Sequence, residues 1–227
     1  MTKPIYSITP FTLLDYPHHP ACIVWYAGCN MRCLYCYNSD IVLGKGKLTI
    51  EDTRYFLQSR KSLLQGVVFS GGECTLHPTL INLARIAKEM GYYIKVDTNG
   101  TKPNVLKQLW DEGLLDYVAL DFKGIDKKYR EITLSDTFAS FADSLSLLQK
   151  NAIPFEVRTT WHADLLSIEN MEAMITYLDQ QGYKGTYFIQ YFMNGVKTLS
   201  PLPYANNSAF NPVQLSTAKI EVEIRRS

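Results

Sequence analysis

The sequence predicts an α/β fold with parallel strands, an open partial TIM barrel of the (β/α)6 kind, on three observations. Short apolar runs rich in β-branched and aromatic residues recur along the chain and read as buried strands. Between them lie helical stretches opened by Ser, Thr or Pro and closed by Gly, the usual punctuation of helix ends. At 227 residues the chain is shorter than the roughly 250 an eight-unit barrel takes. A flat doubly wound sheet is the alternative.

The first strand is "ACIVWYAG", and the helical stretch "LTIEDTRYFLQSRKSL" follows it, with Thr49 as N-cap and acidic residues in its first turn. "GVVFSGG" is the second strand; Pro78 and Gly91 bracket the next helix, "HPTLINLARIAKEMG". "YYIKVDTNG" and "KPNVLKQLWDEG" form the third pair, again from Pro to Gly. "DYVALDFKG" is the fourth strand, and Ser135 or Asp136 is expected to cap the helix "SDTFASFADSLSLLQKN". "PFEVRTTWH" is the fifth strand, before "SIENMEAMITYLDQQG" with Ser167 as cap; "TYFIQYF" is the sixth. After a Pro/Asn-rich stretch, the alternation in "KIEVEIRRS" suggests a seventh strand or an edge piece. The organisation expected is one domain over 1–227, with an N-terminal segment 1–20 and a C-terminal extension 193–227.

Composition excludes several classes. The net charge is +1, which gives no large electrostatic grip on nucleic acid. No apolar run reaches the roughly 20 residues that span a bilayer, and the N-terminus lacks a secretory pattern, so a cytoplasmic location is expected. Five cysteines are an odd count for a disulfide framework. Cys22, inside a strand-like run, reads as packing.

The unusual motifs all fall at strand C-termini: "AGCNMRC", "SGGEC", "DTNG", "DFKG" and "RTTWH". That is where parallel α/β folds build their sites. Cys29, Cys33 and Cys36 stand in a C-x3-C-x2-C pattern. Structural zinc prefers four ligands with paired spacings, and a second CxxC is missing; a three-ligand catalytic zinc stays open. A [4Fe-4S] cluster suits the all-cysteine spacing better. Three thiolates would leave its fourth iron open, which is useful only where something must bind the metal directly.

"CNMRCLYC" resembles the signature of radical S-adenosylmethionine (SAM) enzymes, with the usual aromatic, Tyr35, before the last Cys. "SGGE" at Ser70 to Glu73 is similar to the family's glycine-glycine-glutamate segment. "LLDYP", Asn38, "VDTNG" and "ALDFKG" bring the resemblance closest to the glycyl-radical-enzyme activases. Among these it looks most like the activating proteins of anaerobic ribonucleoside-triphosphate reductase, then pyruvate formate-lyase activating enzymes. The resemblance implies that Cys29, Cys33 and Cys36 ligate one [4Fe-4S] cluster whose fourth iron takes the amino and carboxylate groups of SAM. It places Gly71, Gly72 and Glu73 along the methionyl amino group, and Asp97, Thr98 and Asn99 along the ribose and methionyl side. It puts Lys123 at the methionyl carboxylate, Arg158 facing the same cavity, and Tyr35 and Asn38 near the adenine. Asp97, Thr98 and Asp121 match positions that bind a monovalent cation in some activases.

The implied partners are a glycyl radical enzyme as protein substrate and a flavodoxin or ferredoxin as electron donor, with neither nucleic acid nor membrane. Asp15 and the stretch from Met193 to Pro212 are expected to line the partner's entrance. Two departures affect the adenine side: Tyr37 stands where many activases have His, and Gln190-Tyr191-Phe192 where some carry another. His162 reads as a satisfied loop histidine. The rival readings are a small-molecule radical SAM enzyme, such as 7-carboxy-7-deazaguanine synthase, and an electron-carrier module without catalysis.

Overall fold

A computed structural model describes residues 2–206 and 211–225. Eight strands lie side by side in chain order in one sheet: β1 (Ile5–Thr12), β2 (Ala21–Tyr26), β3 (Gly66–Gly71), β4 (Tyr93–Thr98), β5 (Tyr117–Asp121), β6 (Phe155–Trp161), β7 (Gly185–Tyr191) and β8 (Ile220–Arg225). β1 runs antiparallel to β2, and every later neighbour is parallel. The strand order starts at β1 and ends at β8, so the sheet is open, as expected. The six expected strands are β2 to β7. The N-terminal segment and the C-terminal extension each add one more at an edge. β1 escapes sequence reading because its pairing shifts register twice and it carries Pro10, features that an edge strand tolerates.

The helices are α1 (Ser39–Leu43), α2 (Ile50–Arg60), α3 (Thr79–Glu89), α4 (Pro103–Asp111), α5 (Asp126–Thr133), α6 (Phe138–Lys150) and α7 (Ile168–Gln180). Thr49 caps α2 in a reciprocal box with Asp52, and Ser167 caps α7 in the same way with Asn170. Pro78 stands one residue ahead of α3 as its N-cap rather than inside its first turn. The expected cap of α6 is a correction. The helix starts at Phe138 behind Thr137, and neither Ser135 nor Asp136 caps it. Ser135 bonds the Thr137 hydroxyl, and Asp136 pairs with Arg130 of α5. α5 itself, "DKKYREIT", is short and polar, and the expectation contained no helix there.

The period-two alternation of the strands separates two faces. Outward residues such as Val24, Phe69, Val96, Leu120, Val157 and Ile189 pack with Leu83, Leu109, Leu145 and Met174 of the helices in one core. The inward face is polar where the strands end. β5 shows the logic: Val118 and Leu120 point out, Ala119 and Asp121 point in, and Phe122 points out again before Lys123. Phe122 is fully buried and lies 4.8 Å from Phe141 and 5.8 Å from Tyr177, ring to ring. Its backbone N–H donates to the Arg158 carbonyl at 2.8 Å. This aromatic cluster fixes the strand end that presents Asp121 and Lys123.

The "LLDYP" motif lies elsewhere than expected. Thr12 pairs with Ala21, the first residue of β2, so Asp15 sits at the N-terminal end of the parallel strands, opposite the cysteines. There its carboxylate accepts from the Thr12 hydroxyl at 2.5 Å. Tyr16 is buried with Ala21, Ile23 and Val68 and closes that end of the interior. Asp15 therefore lines no entrance to the site. No helix among the described residues is long and apolar enough to cross a membrane.

Replacing Phe122 with Ala should cost about 3–5 kcal/mol, the usual figure for emptying a buried aromatic site. Ser167→Ala should cost about 1 kcal/mol through its cap. Urea denaturation of the two variants checks both figures and their order.

Candidate active site

The cysteine loop leaves β2 and folds across the C-terminal end of the sheet. Gly28 N–H donates to the Ile41 carbonyl, Arg32 N–H to the Thr133 carbonyl and Leu34 N–H to the Ile132 carbonyl, so α1 and α5 hold its two sides. His77 Nε2 lies 2.7 Å from the Ala27 carbonyl, a bond in which only the ring nitrogen can donate. From the far side, Leu199 N–H and Ser200 N–H donate to the carbonyls of Cys36 and Leu34. The stretch after β7 thus lies against the cysteine loop; residues 207–210 are outside the described residues.

One cavity of about 170 Å³ opens between this loop and the strand ends. Every site residue singled out from the sequence lines it: Cys29, Cys33, Cys36, Tyr35, Asn38, Gly71, Gly72, Glu73, Asp97, Thr98, Asn99, Lys123 and Arg158. Asp121, Tyr37 and Gln190 line it too. All three cysteines are free thiols. Burial pushes Cys29 up to about 11 and Cys33 up to about 12, and raises Cys36. The Lys123 charge works against that rise at all three. Metal ligation here must displace protons. Among the described residues no three His, Cys, Asp or Glu side chains converge to hold a single metal ion. The cysteines border a space, which favours a cluster over the zinc alternative.

Gly71 and Gly72 form a backbone cradle. Gly71 has φ +129°, and a Cβ on Gly72 would lie 1.9 Å from the Gly28 carbonyl oxygen. Glycine alone lets β3 pass this close to the cysteine loop. Glu73 is buried, and its carboxylate accepts from Thr75 N–H, the Thr75 hydroxyl, the Thr98 hydroxyl and Asn99 N–H. Burial raises its pKa and these donors oppose the rise. Its side chain is therefore committed to joining the ends of β3 and β4.

Asp97 and Asp121 stand on adjacent strands, and Arg158 bridges them, Nη2 to Asp97 at 3.3 Å and Nε to Asp121 at 2.5 Å. Lys95 adds a contact to Asp97 at 2.5 Å, and Lys123 one to Asp121 at 3.1 Å. Burial alone would raise Asp121, but Arg158 and Lys123 hold it at about 2. Asp97 is lowered as well, with Arg158 and then Lys95 outweighing burial. Burial works against the Lys123 charge, but Asp121 together with Tyr35 and Cys33 more than offsets it, so the pKa is raised and Lys123 stays charged. A monovalent cation matched to Asp97 and Asp121 would compete with this guanidinium.

Residues 23–180 match the Radical SAM superfamily. The chain belongs to that superfamily. It is 34% identical over 173 residues to a Methanocaldococcus jannaschii protein named as a candidate glycyl-radical enzyme activating enzyme, covering 73% of this chain and 71% of that one. It is 30% identical over 161 residues to the pyruvate formate-lyase-activating enzyme of Clostridium pasteurianum, covering 68% of this chain and 66% of the relative. In fold it is similar to Streptococcus suis SuiB in its SAM-bound structure, with a TM-score of 0.65 at 14% identity, over 89% of this chain and 51% of that one. The chain is a radical SAM enzyme, and its cofactors are a [4Fe-4S] cluster and SAM. The cavity fits them. It holds three free thiols, a glycine cradle, a charged lysine for a carboxylate, and a buried Tyr35 hydroxyl that has no partner among the described residues.

Sequence reading missed Lys95, Glu156, Asn30 and Thr101. Lys95 and Glu156 are buried charges at inward positions of strands that are otherwise apolar. Reading Lys95 with Asp97, and Glu156 with Arg158, as period-two pairs would have found them. Arg225 of β8 pairs with Glu156 at 2.5 Å, a contact only the sheet order reveals. His162 is buried: Asp164 N–H donates to its Nδ1, so Nε2 donates to the Pro203 carbonyl. That is the satisfied histidine expected. Tyr37 stacks on Phe192 at 5.5 Å, and its hydroxyl accepts from Met193 N–H at 2.5 Å.

Arg158→Met leaves two buried carboxylates short of a partner and should destabilise the cluster-free protein by about 3 kcal/mol. Asp121 is depressed on folding from 3.8 to about 2, so its contribution is complete above pH about 4 and fades as pH falls toward about 2. Without Arg158 that depression shrinks, so the variant should lose less stability than the parent as pH falls from about 4 toward about 2, and the gap between the two proteins should narrow. Urea denaturation at a series of acid pH values reads both effects.

Proposed function

We propose that this chain is a glycyl-radical-enzyme activase, and that its substrate is a glycine Cα–H on anaerobic ribonucleoside-triphosphate reductase. The observation that carries the activase reading is the 34% identity to the M. jannaschii relative, joined to a cysteine-lined cavity at the mouth of a sheet that stays open between β1 and β8. A lateral opening suits a substrate that is a loop of another protein. The motifs "LLDYP", "VDTNG" and "ALDFKG" support the activase class, and the reductase as partner rests on the resemblance to the activating proteins of anaerobic ribonucleoside-triphosphate reductase. The C. pasteurianum relative favours a second reading, in which the partner is a pyruvate formate-lyase. A flavodoxin or ferredoxin would supply the electron, and residues 1–227 would act as one domain.

Cys29, Cys33 and Cys36 would hold three irons of the cluster. Bound together, cluster and SAM supply a one-electron reductive cleavage whose carbon radical can take a hydrogen atom. Lys123 would hold the methionyl carboxylate as a point charge. The cradle at Gly71 and Gly72 would lie along the methionyl amino group, with Asp97 and Thr98 on the ribose side. Tyr35 and Asn38 line the wall where the adenine would rest, and Tyr37, braced by Phe192, closes part of it against water. The Arg158 bridge keeps Asp121 and Lys123 in place without reorganisation, so the site is preorganised for a zwitterion.

The test is anaerobic loading with iron and sulfide, reduction, and addition of SAM with either candidate partner. The expected result is 5′-deoxyadenosine release and a glycyl-radical EPR doublet on the ribonucleotide reductase. A doublet on the lyase alone selects the second reading, and a doublet on neither rejects the activase. Lys123→Gln removes a charge-assisted contact worth about 1.5–3 kcal/mol and should weaken SAM binding about tenfold or more.

A further inference from the structure

Asn99 lines the cavity, and its side chain is held there by its neighbours. Its Oδ1 accepts from the Thr101 backbone N–H at 3.0 Å, which fixes the amide's orientation because that donor cannot reverse. The Thr101 hydroxyl donates to the same Oδ1 at 2.7 Å. Asn99 Nδ2 then donates to Asn30 Oδ1 at 3.0 Å, and Asn30 Nδ2 donates to the Thr101 hydroxyl oxygen at 2.9 Å. Three side chains thus close a ring in which every donor meets an acceptor and every direction is set by one backbone N–H. Asn99 and Thr101 are 4% and 7% exposed while Asn30 is exposed, so the Asn99–Thr101 bonds are the ones shielded from water.

The ring reaches the cysteine loop at its first ligand. Asn30 follows Cys29 directly, and the Asn99 amide nitrogen lies 3.9 Å from Cys29 Sγ. The Met31 backbone N–H also points at that sulfur, at 3.4 Å. The Asn99 backbone N–H is held in turn by Glu73 at 2.7 Å. One amide group therefore has one hydrogen for Asn30 and one for the sulfur.

We propose that Asn99, locked by Asn30 and Thr101, is a positioning residue that pins Cys29 and donates N–H to its sulfur, setting the cluster's reduction potential rather than binding SAM. The proposal rests on the reading that Cys29 is a cluster ligand. An N–H directed at a cluster thiolate stabilises the reduced, more negative form and so raises the potential. Asn30 alone could not do this, because the ring turns its oxygen, not its nitrogen, toward Asn99.

The test compares parent, Asn99→Asp and Thr101→Val proteins, each anaerobically loaded with iron and sulfide. EPR-monitored redox titration gives the midpoint potential, and equilibrium binding gives the SAM affinity. Asn99→Asp keeps the acceptor for Thr101 but replaces the N–H with an oxygen and adds a negative charge, so the neutral Thr101→Val variant separates loss of the bond from the added charge. Thr101→Val keeps the shape and opens the ring without touching cluster or SAM. Both should shift the midpoint to more negative potential, Asn99→Asp further, while SAM affinity stays within about twofold of the parent. Unmoved potentials in both variants would overturn the proposal. So would a fall in SAM affinity of about tenfold or more in Asn99→Asp at unchanged potential, which would make Asn99 a SAM ligand. If Asn99→Asp fails to fold, Thr101→Val decides alone. A parent protein that takes up no cluster would sink the underlying reading and this inference together, whereas a normal cluster with unmoved potentials sinks this inference only.

Discussion

Two carboxylates, Asp97 and Asp121, face the interior of the sheet from adjacent strands, and the fold depends on keeping both ionised there. Like charges this close would ordinarily drive one of them to bind a proton. Arg158 prevents that by bridging the pair, and Lys95 and Lys123 complete the balance. The guanidinium suits this position because one planar group can serve two acceptors. β4, β5 and β6 are thereby tied at the ends that carry the site. Arg225 and Glu156 extend the balance to the edge strand β8, where Arg225 also lies 3.7 Å over the Phe188 ring.

On that base the cysteine loop is attached by neutral bonds and by one buried acid. Glu73 joins the ends of β3 and β4, the glycine pair brings β3 against the loop, and the ring of Asn30, Asn99 and Thr101 ties the loop to β4. Charge is concentrated at the ends of β4, β5 and β6, in Asp97, Asp121, Lys123 and Arg158. The direct contacts to Cys29 Sγ are neutral, from the Asn99 amide and the Met31 backbone N–H, while the Lys123 charge reaches all three cysteines from further off.

The openness of the sheet and the placement of its motifs belong to one functional logic. A closed barrel would shield the cavity from anything but a small molecule. Here β1 and β8 end the sheet without meeting, and the stretch after β7 packs directly on the cysteine loop. At the opposite end Tyr16 of the "LLDYP" turn is buried against Ala21, Ile23 and Val68.

Local chemistry made much of this legible from the sequence. Strands β2 to β7, the caps Thr49 and Ser167, and the cysteine spacing depend on short-range preferences, and each lies in contiguous residues. The cavity residues were legible because parallel strands bring their C-terminal ends together whatever the loops do, so motifs at "SGGE", "DTNG" and "DFKG" had to converge. Tertiary structure alone decided which groups touch. Asp15 went to the far end because β1 turned out to be an antiparallel edge strand. Ser135 and Asp136 left α6 uncapped because Ser135 bonds the Thr137 hydroxyl and Arg130 of α5 claims Asp136. Asn99 bonds Asn30, 69 residues away in the chain. Hydrogen bonds and ion pairs between distant strands depend on register and on competition among neighbours, and no local pattern encodes either.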